Sequence, residues 1–234
     1  MGVVALIKQI IVISDGQSNV GPEPSKVAEM ALNRGIRVNT IGIIDNSHNK
    51  SAILELENIA EKGGGICELT ELGSLSETLS RVTVKSVYET IEEVVNSELK
   101  AIMDVDIKEI SPDKRKRIIN IIDKIGDEVS LQCLILLDTS GSMEKKIDVA
   151  RKSIFELLMF LKERRGENRI GVMTFPGRWG NYELLCDFTQ DIDELRSKIQ
   201  TIGVGGMTPT GPAIEGAIRA FYGEQEEYSI EHIV

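Results

Sequence analysis

The stretch Leu131-Gln132-Cys133-Leu134-Ile135-Leu136-Leu137-Asp138-Thr139-Ser140-Gly141-Ser142-Met143 decides the fold. Residues 131–137 form a short, nearly continuous apolar run, as in a strand covered on both faces. The run stops at a carboxylate followed by small residues, which is turn chemistry. Beyond the turn, Ile147, Ala150, Ile154, Leu157, Leu158 and Leu161 trace one face of a helix of about four turns. A buried strand, a tight turn and an amphipathic helix together make the repeating unit of a parallel α/β sheet.

Working outward, the alternation continues in both directions. Towards the C-terminus, Ile170–Phe175 reads as a strand. Tyr182–Asp187 reads as another, bounded by Gly180 and by Phe188-Thr189. Helices are expected near 191–199 and 212–222, and the chain stops at Ile230-Glu231-His232-Ile233-Val234. Towards the N-terminus, residues 9–14 (QIIVIS) form an apolar run closed by Asp15-Gly16. Pro22 and Pro24 precede a helix to about Arg34, with Val27, Met30 and Ala31 on one face and Gly35 as its stop. Residues 36–44 read as a strand. Ile53, Leu56, Ile59 and Ala60 mark a helix ended by Gly63-Gly64-Gly65, and a short strand follows near Ile66–Leu69. Ser74 and Glu77 have capping-box spacing for a third helix.

Residues 86–129 differ. They are charge-rich and helical in period, with Val87, Ile91, Val94 or Val95, and Ile102 sharing a face. Ser111-Pro112 opens another helix, which is expected to run to about Ile125 before Gly126. The tetrad Lys114-Arg115-Lys116-Arg117 reads as a solvated helix face rather than an anion-binding surface. The flanking α/β segments, 1–85 and 130–234, do not duplicate each other. Each has too few strands for a doubly wound domain of its own.

Composition narrows the function. The chain has 234 residues, 41% hydrophobic and 27% charged, which suits a soluble globular protein of one large domain or two small ones. With 27 basic and 37 acidic residues, the net charge of -10 repels a nucleic-acid backbone and favours cations. Three cysteines at wide spacings and two histidines, His48 and His232, form no zinc or haem signature and no disulfide framework. Cys133 and Cys186 read as small core residues. No apolar stretch approaches the roughly 18 residues of a membrane span. The start, Met1 to Lys8, lacks the basic region of a signal peptide. A reducing cytoplasm is the expected compartment.

Asp138, Ser140 and Ser142 place one carboxylate and two hydroxyls at a strand's C-terminal end, where α/β sheets bind ligands. All are hard oxygen donors suited to Mg²⁺, Mn²⁺ or Ca²⁺. On these residues alone, a metal site and a helix N-cap by Ser142 both stay open. Two further loops bear on the choice. Gly205-Gly206-Met207-Thr208-Pro209-Thr210-Gly211 presents hydroxyls before a helix, and Asp15-Gly16 ends another apolar strand. Each is weak alone, but together the three loops supply carboxylates and hydroxyls from element ends.

DTSGSM at 138–143, TPTG at 208–211 and ISDG at 13–16 resemble the metal-ion-dependent adhesion site of von Willebrand factor type A (VWA) domains. The resemblance implies a Rossmann-like three-layer α/β/α fold, mostly parallel, with one antiparallel edge strand and strand order 3-2-1-4-5-6. It assigns Asp138, Ser140 and Ser142 to the first motif, Thr208 to the threonine and Asp15 to the aspartate. Thr208 is preferred to Thr210 because the family's threonine is the first of such a T-x-T-G run. Residues near 95–129 fall outside the match. The motif order is inverted relative to the family, so the resemblance implies a circular permutation. Residues 130–234 would be the first half of a VWA domain, 1–85 its second half, and 86–129 a helical connector.

The family strand order sets the strands ending in Asp138 and Asp15 side by side. Two carboxylates about 6 Å apart repel by roughly 3 kcal/mol at an effective dielectric near 20, and a divalent cation turns that repulsion into attraction. The implied function is a metal-dependent protein-binding module, not an enzyme. Its Mg²⁺ (or Mn²⁺ or Ca²⁺) would take an Asp or Glu from a protein partner, with no nucleic acid or membrane involved.

The alternatives are a metal-dependent hydrolase or phosphatase using the same oxygens, and a metal-free scaffold. Against the first stand the lack of a site histidine, a DxD pair and a GxSxG elbow; against the second, the full occupancy of the motif. Asp15 could complete the site in cis or in trans, giving a monomer or a swapped homodimer. The permuted order also resembles a group of VWA proteins in spore-forming Gram-positive bacteria, encoded near serine/threonine kinases and phosphatases, which implies a cytoplasmic scaffold or regulator linked to sporulation. Trp179, in a Gly-rich turn, reads as a loop anchor packing locally rather than a partner contact. Met143 and Phe175 are expected to pack under the site.

Overall fold

Residues 131–137 run through the middle of a six-stranded sheet. The structure, a computed structural model, describes residues 6–44, 50–200 and 202–222. His48 and the C-terminal residues 230–234, with His232, lie outside the described residues. In chain order the elements are β1 (Leu6–Ser14), α1 (Pro24–Leu32), β2 (Ile36–Ile44), α2 (Lys50–Lys62), β3 (Gly64–Glu71), α3 (Leu75–Met103), α4 (Pro112–Glu128), β4 (Ser130–Asp138), α5 (Ile147–Leu161), β5 (Asn168–Phe175), β6 (Glu183–Thr189), α6 (Ile192–Ile199) and α7 (Thr210–Ala220).

The strand order is β3-β2-β1-β4-β5-β6. β1 pairs in parallel with both β2 and β4, and β4 with β5; only the β5–β6 edge is antiparallel. From β1 the chain moves outward through β2 and β3, and from β4 it moves outward the other way through β5 and β6. The order therefore reverses between β1 and β4, and their C-terminal ends define the crevice where such sheets bind ligands. Ile13 lies beside Leu137 in the register, so Ser14 and Asp138 finish at one level.

Side chains alternate along the central strands and feed two cores. Ile10 and Val12 of β1, with Leu134 and Leu136 of β4, pack against α1, α2 and α7. Ile11, Ile13, Ile135 and Leu137 face α3, α5 and α6. Each fully buried aliphatic side chain contributes about 1.5–3 kcal/mol of transfer free energy. The cysteines of the apolar runs, Cys133 and Cys186, are buried as expected. A polar thread crosses this core, in which Asn39 donates to Gln9 Oε1 (3.1 Å) and accepts from the Ile66 amide (3.0 Å). It satisfies the backbone where β2 and β3 slip register.

Several local expectations change. The third helix does not stop near residue 85. α3 runs unbroken for 29 residues, so the 85/86 boundary falls inside a helix. Its buried side chains continue through Ser86, Val87 and Ile91, beyond which it leaves the sheet and pairs with α4; Ile102, expected on the packed face, is 78% exposed. Ser74 makes no side-chain cap; a 3₁₀ turn at Leu72–Ser74 leads into α3 instead. Met30 faces solvent, and Ala28 takes its place in the core. Gly126 does not end α4, which continues to Glu128. Arg164 ties that end to β5, donating to the Gly126 carbonyl and to Asn168 Oδ1.

Candidate metal centre

Asp138 closes β4 and is fully buried. Its two oxygens are held from different elements. The Ser140 amide, across the turn, donates to Oδ1 at 2.8 Å. Ser14 Oγ, at the end of β1, donates to Oδ2 at 2.5 Å. Burial outweighs these bonds and pushes the carboxyl up to about 6, with a small further rise from Asp15.

Thr139 faces away from the crater and serves as scaffold. Its amide continues the ladder to the Phe175 carbonyl (2.8 Å), its hydroxyl donates to the Pro176 carbonyl (3.1 Å), and its own carbonyl accepts from the Gly205 amide (2.8 Å). One residue thus ties three loops together. The turn then tightens into a 3₁₀ segment, Gly141–Met143, anchored by the fully buried Met143. That turn brings Ser142 Oγ to 3.2 Å from Ser140 Oγ. Ser142 Oγ also donates to Asp15 Oδ1 at 2.6 Å, across 127 residues of sequence. Lys146 Nζ donates to Asp15 Oδ2. Ser142 is exposed, so the crater opens to solvent beside it. It does not cap α5, whose N-cap position is Lys146.

The Gly205–Pro209 loop brings in Thr208. The Thr208 amide donates to Asn19 Oδ1 (2.9 Å), and the Asn19 amide returns a bond to the Thr208 carbonyl (3.1 Å). Gly206 takes φ of +93°, where a side chain would be strained. A Cβ placed on Gly16 would lie 3.8 Å from Thr208 Oγ1 and 4.0 Å from Asp138 Oδ2. The Thr208 hydroxyl and the Asp138 carboxylate therefore approach the same small space beside Gly16.

All five expected residues, Asp138, Ser140, Ser142, Thr208 and Asp15, gather at the C-terminal ends of β1 and β4. The sequence reading assigned no role to Ser14, Lys146 or Asn19. Ser14 stood inside the ISDG stretch, while Lys146 and Asn19 carried no local signal. Among the described residues no group of three or more His, Cys, Asp or Glu side chains is placed to hold a metal ion. The crater offers two carboxylates and three hydroxyls, a donor set that fits a hard divalent cation and not a thiophilic one. Met143 and Phe175 are fully buried, as expected. Trp179 is 99% exposed, so it does not pack as a local anchor.

The von Willebrand factor type A domain family matches residues 133–234, the part that carries the Asp138 motif and Thr208. Across 218 residues the chain is 38% identical to the Bacillus subtilis (strain 168) protein YabS, described as uncharacterized, covering 92% of this chain and 89% of that one. A crystal structure of an uncharacterized protein from Alicyclobacillus acidocaldarius subsp. acidocaldarius DSM 446 is similar at 35% identity and a TM-score of 0.84, covering 93% of this chain and 94% of that one. Among the described residues no helix is long and apolar enough to cross a membrane.

Proposed function

The chain belongs to the von Willebrand factor type A domain family, and from that premise we propose that it is a metal-dependent protein-binding module, a scaffold or regulator rather than an enzyme. Asp138, Ser140, Ser142, Thr208 and Asp15 hold a divalent cation, Mg²⁺ in the first instance. Bound there, the cation supplies an open coordination position for an Asp or Glu side chain of a partner protein. The observation that carries this reading is the convergence of five oxygen-bearing side chains, only two of them charged, on a crater at the switch point of the sheet that meets solvent at Ser142.

Recognition is favoured over hydrolysis because the crater carries no DxD pair and the sequence no GxSxG elbow. Asp138 accepts from Ser14 and Ser140, and Asp15 from Ser142 and Lys146, so both carboxylates are held in fixed positions suited to a cation. The Ser142–Asp15 bond supports completion of the site in cis, hence a monomer. The inverted motif order on a family-like sheet supports a circularly permuted VWA domain, with α3 and α4 joining the family's usual ends. Placement in the cytoplasm and a link to sporulation belong to the same reading and rest on the motif order.

Titration of Mn²⁺ or Mg²⁺ into the wild type and Asp138→Ala tests the site. The wild type should bind one equivalent and the variant none; equal binding by both sinks the assignment. Metal-dependent turnover of phosphoesters or peptides, lost in Asp138→Ala, would favour the hydrolase instead.

A further inference from the structure

Lys146 has no place in the motif, yet its ammonium lies against one of the two crater carboxylates, donating to Asp15 Oδ2. The two side chains are only 13% and 3% exposed, so water and salt screen the pair poorly. The lysine is also fixed in position. Its amide donates to the Met143 carbonyl (2.8 Å), and its carbonyl accepts from the Ala150 amide (3.0 Å) in the first turn of α5. A cation at a helix N-terminus opposes the helix dipole, so the helix gains nothing from a lysine there. The residue's value lies in what its charge does to the crater.

We propose that Lys146 is a built-in counter-cation of the crater, which weakens divalent-cation binding and leaves the loaded site electropositive enough to select a carboxylate. The proposal rests on the metal-binding reading of the same site. The formal charges of Asp138, Asp15 and Lys146 leave one net negative charge. A divalent cation turns this into one net positive charge, which a partner's carboxylate neutralises. Without Lys146 the loaded site would be neutral, and an incoming carboxylate would leave it negative. The lysine thus trades metal affinity for preference toward an acidic partner. Ser142 Oγ still holds Asp15 Oδ1 when the ammonium is removed, so the carboxylate keeps one of its two anchors.

The test uses Mn²⁺ alone, with free ion followed by its paramagnetic resonance signal, on the wild type, Lys146→Met, Lys146→Gln and Lys146→Arg, each first shown to melt cooperatively. Removing the charge should tighten Mn²⁺ binding at least about tenfold in both neutral variants, which corresponds to about 1.4 kcal/mol. Lys146→Arg should stay near the wild type. Acetate added to the Mn²⁺-loaded proteins should displace bound water, read as a fall in water-proton relaxation, more readily in the wild type than in Lys146→Met. Binding in the neutral variants that equals or falls below the wild type would overturn the proposal and make Lys146 a positioning residue for Asp15, with the metal reading intact. Failure of Mn²⁺ to bind any of the four proteins would overturn both.

Discussion

Asp138 is pulled in opposite directions by its surroundings. Burial favours its neutral form, whereas the Ser14 hydroxyl and Ser140 amide favour its anion. Burial wins, and the carboxyl titrates at about 6 rather than the ordinary 3.8. A carboxyl raised on folding gives stability that is fully present below its unfolded value and is lost as pH rises through the folded one. Between pH 4 and 6.5 the metal-free protein should therefore lose about 2 kcal/mol through this group, since each unit is worth about 1.4 kcal/mol and the loss begins just below pH 4. Asp138→Asn should be more stable than metal-free wild type at pH 7.5, by about 1–3 kcal/mol after the cost of a less favourable bond to Ser14. The advantage should disappear at pH 4. Denaturant melts at the two pH values check this, and a pH-independent difference would contradict the assignment. Trp179→Ala sits at the other extreme of burial. With the ring 99% exposed, its removal should change stability by less than about 0.5 kcal/mol, which a thermal melt reads directly. At this scale Asp138, Ser140 and Ser142 stood out because a turn after a strand is a local signal, while the assignment of all five residues came from the family resemblance. Ser14 and Lys146 did not stand out, because their partners lie 124 and 131 residues away, and only the β1–β4 register brings them together.

Among the elements, the parallel strands and short helices could be read from their apolar periods, and β2 matches its expected bounds of 36–44. The helices between the two α/β segments could be read less well, for an identifiable reason. A rise in charge density near residue 86 suggests a boundary, but the buried series Leu75, Leu79, Val82, Ser86 and Val87, and Ile91 keeps helical spacing straight across it. Gly126 misled in the same region, because a glycine inside a helix has the same sequence appearance as a glycine that stops one. Its use is close packing. A Cβ there would sit 2.5 Å from Tyr88 Cε1 on α3. Helix propensity alone predicts that Gly126→Ala stabilises by about 1 kcal/mol. Overpacking against a ring held between two helices costs about 1–3 kcal/mol, so the net effect should be destabilising. The same substitution made in a Tyr88→Ala background should recover the propensity gain. A double-mutant cycle with no coupling would mean that α3 and α4 can separate slightly at no cost.

Across the whole molecule, the ladder between β1 and β4 joins segments that are far apart in sequence. Eight residue pairs, from Leu6–Ser130 to Ile13–Leu137, connect the two halves. The strands they join are buried on both faces by Ile10, Ile11, Val12 and Ile13 on one side and Leu134, Ile135, Leu136 and Leu137 on the other. Neither half can close this ladder alone. A fragment of residues 1–110 would carry three strands ending in an open apolar edge at β1, and a fragment of residues 111–234 would end in the same kind of edge at β4. Exposed central edges of this kind associate or aggregate rather than fold. The Ile110–Ser111 bond precedes Pro112, the first residue of α4, and lies on the surface, so cutting there spares every strand and helix. Each fragment expressed alone should lack the dispersed amide spectrum of a folded domain. Mixing them should restore that spectrum with one-to-one stoichiometry, because the β1–β4 ladder, the α3–α4 contact and the Ser142–Asp15 bond all form across the cut. Restored Mn²⁺ binding should appear with the spectrum and not before it, since Asp15 and Asp138 come from different fragments. A fragment of residues 1–110 that folds alone would show that the chain holds two domains, and that the crater lies between them rather than inside one.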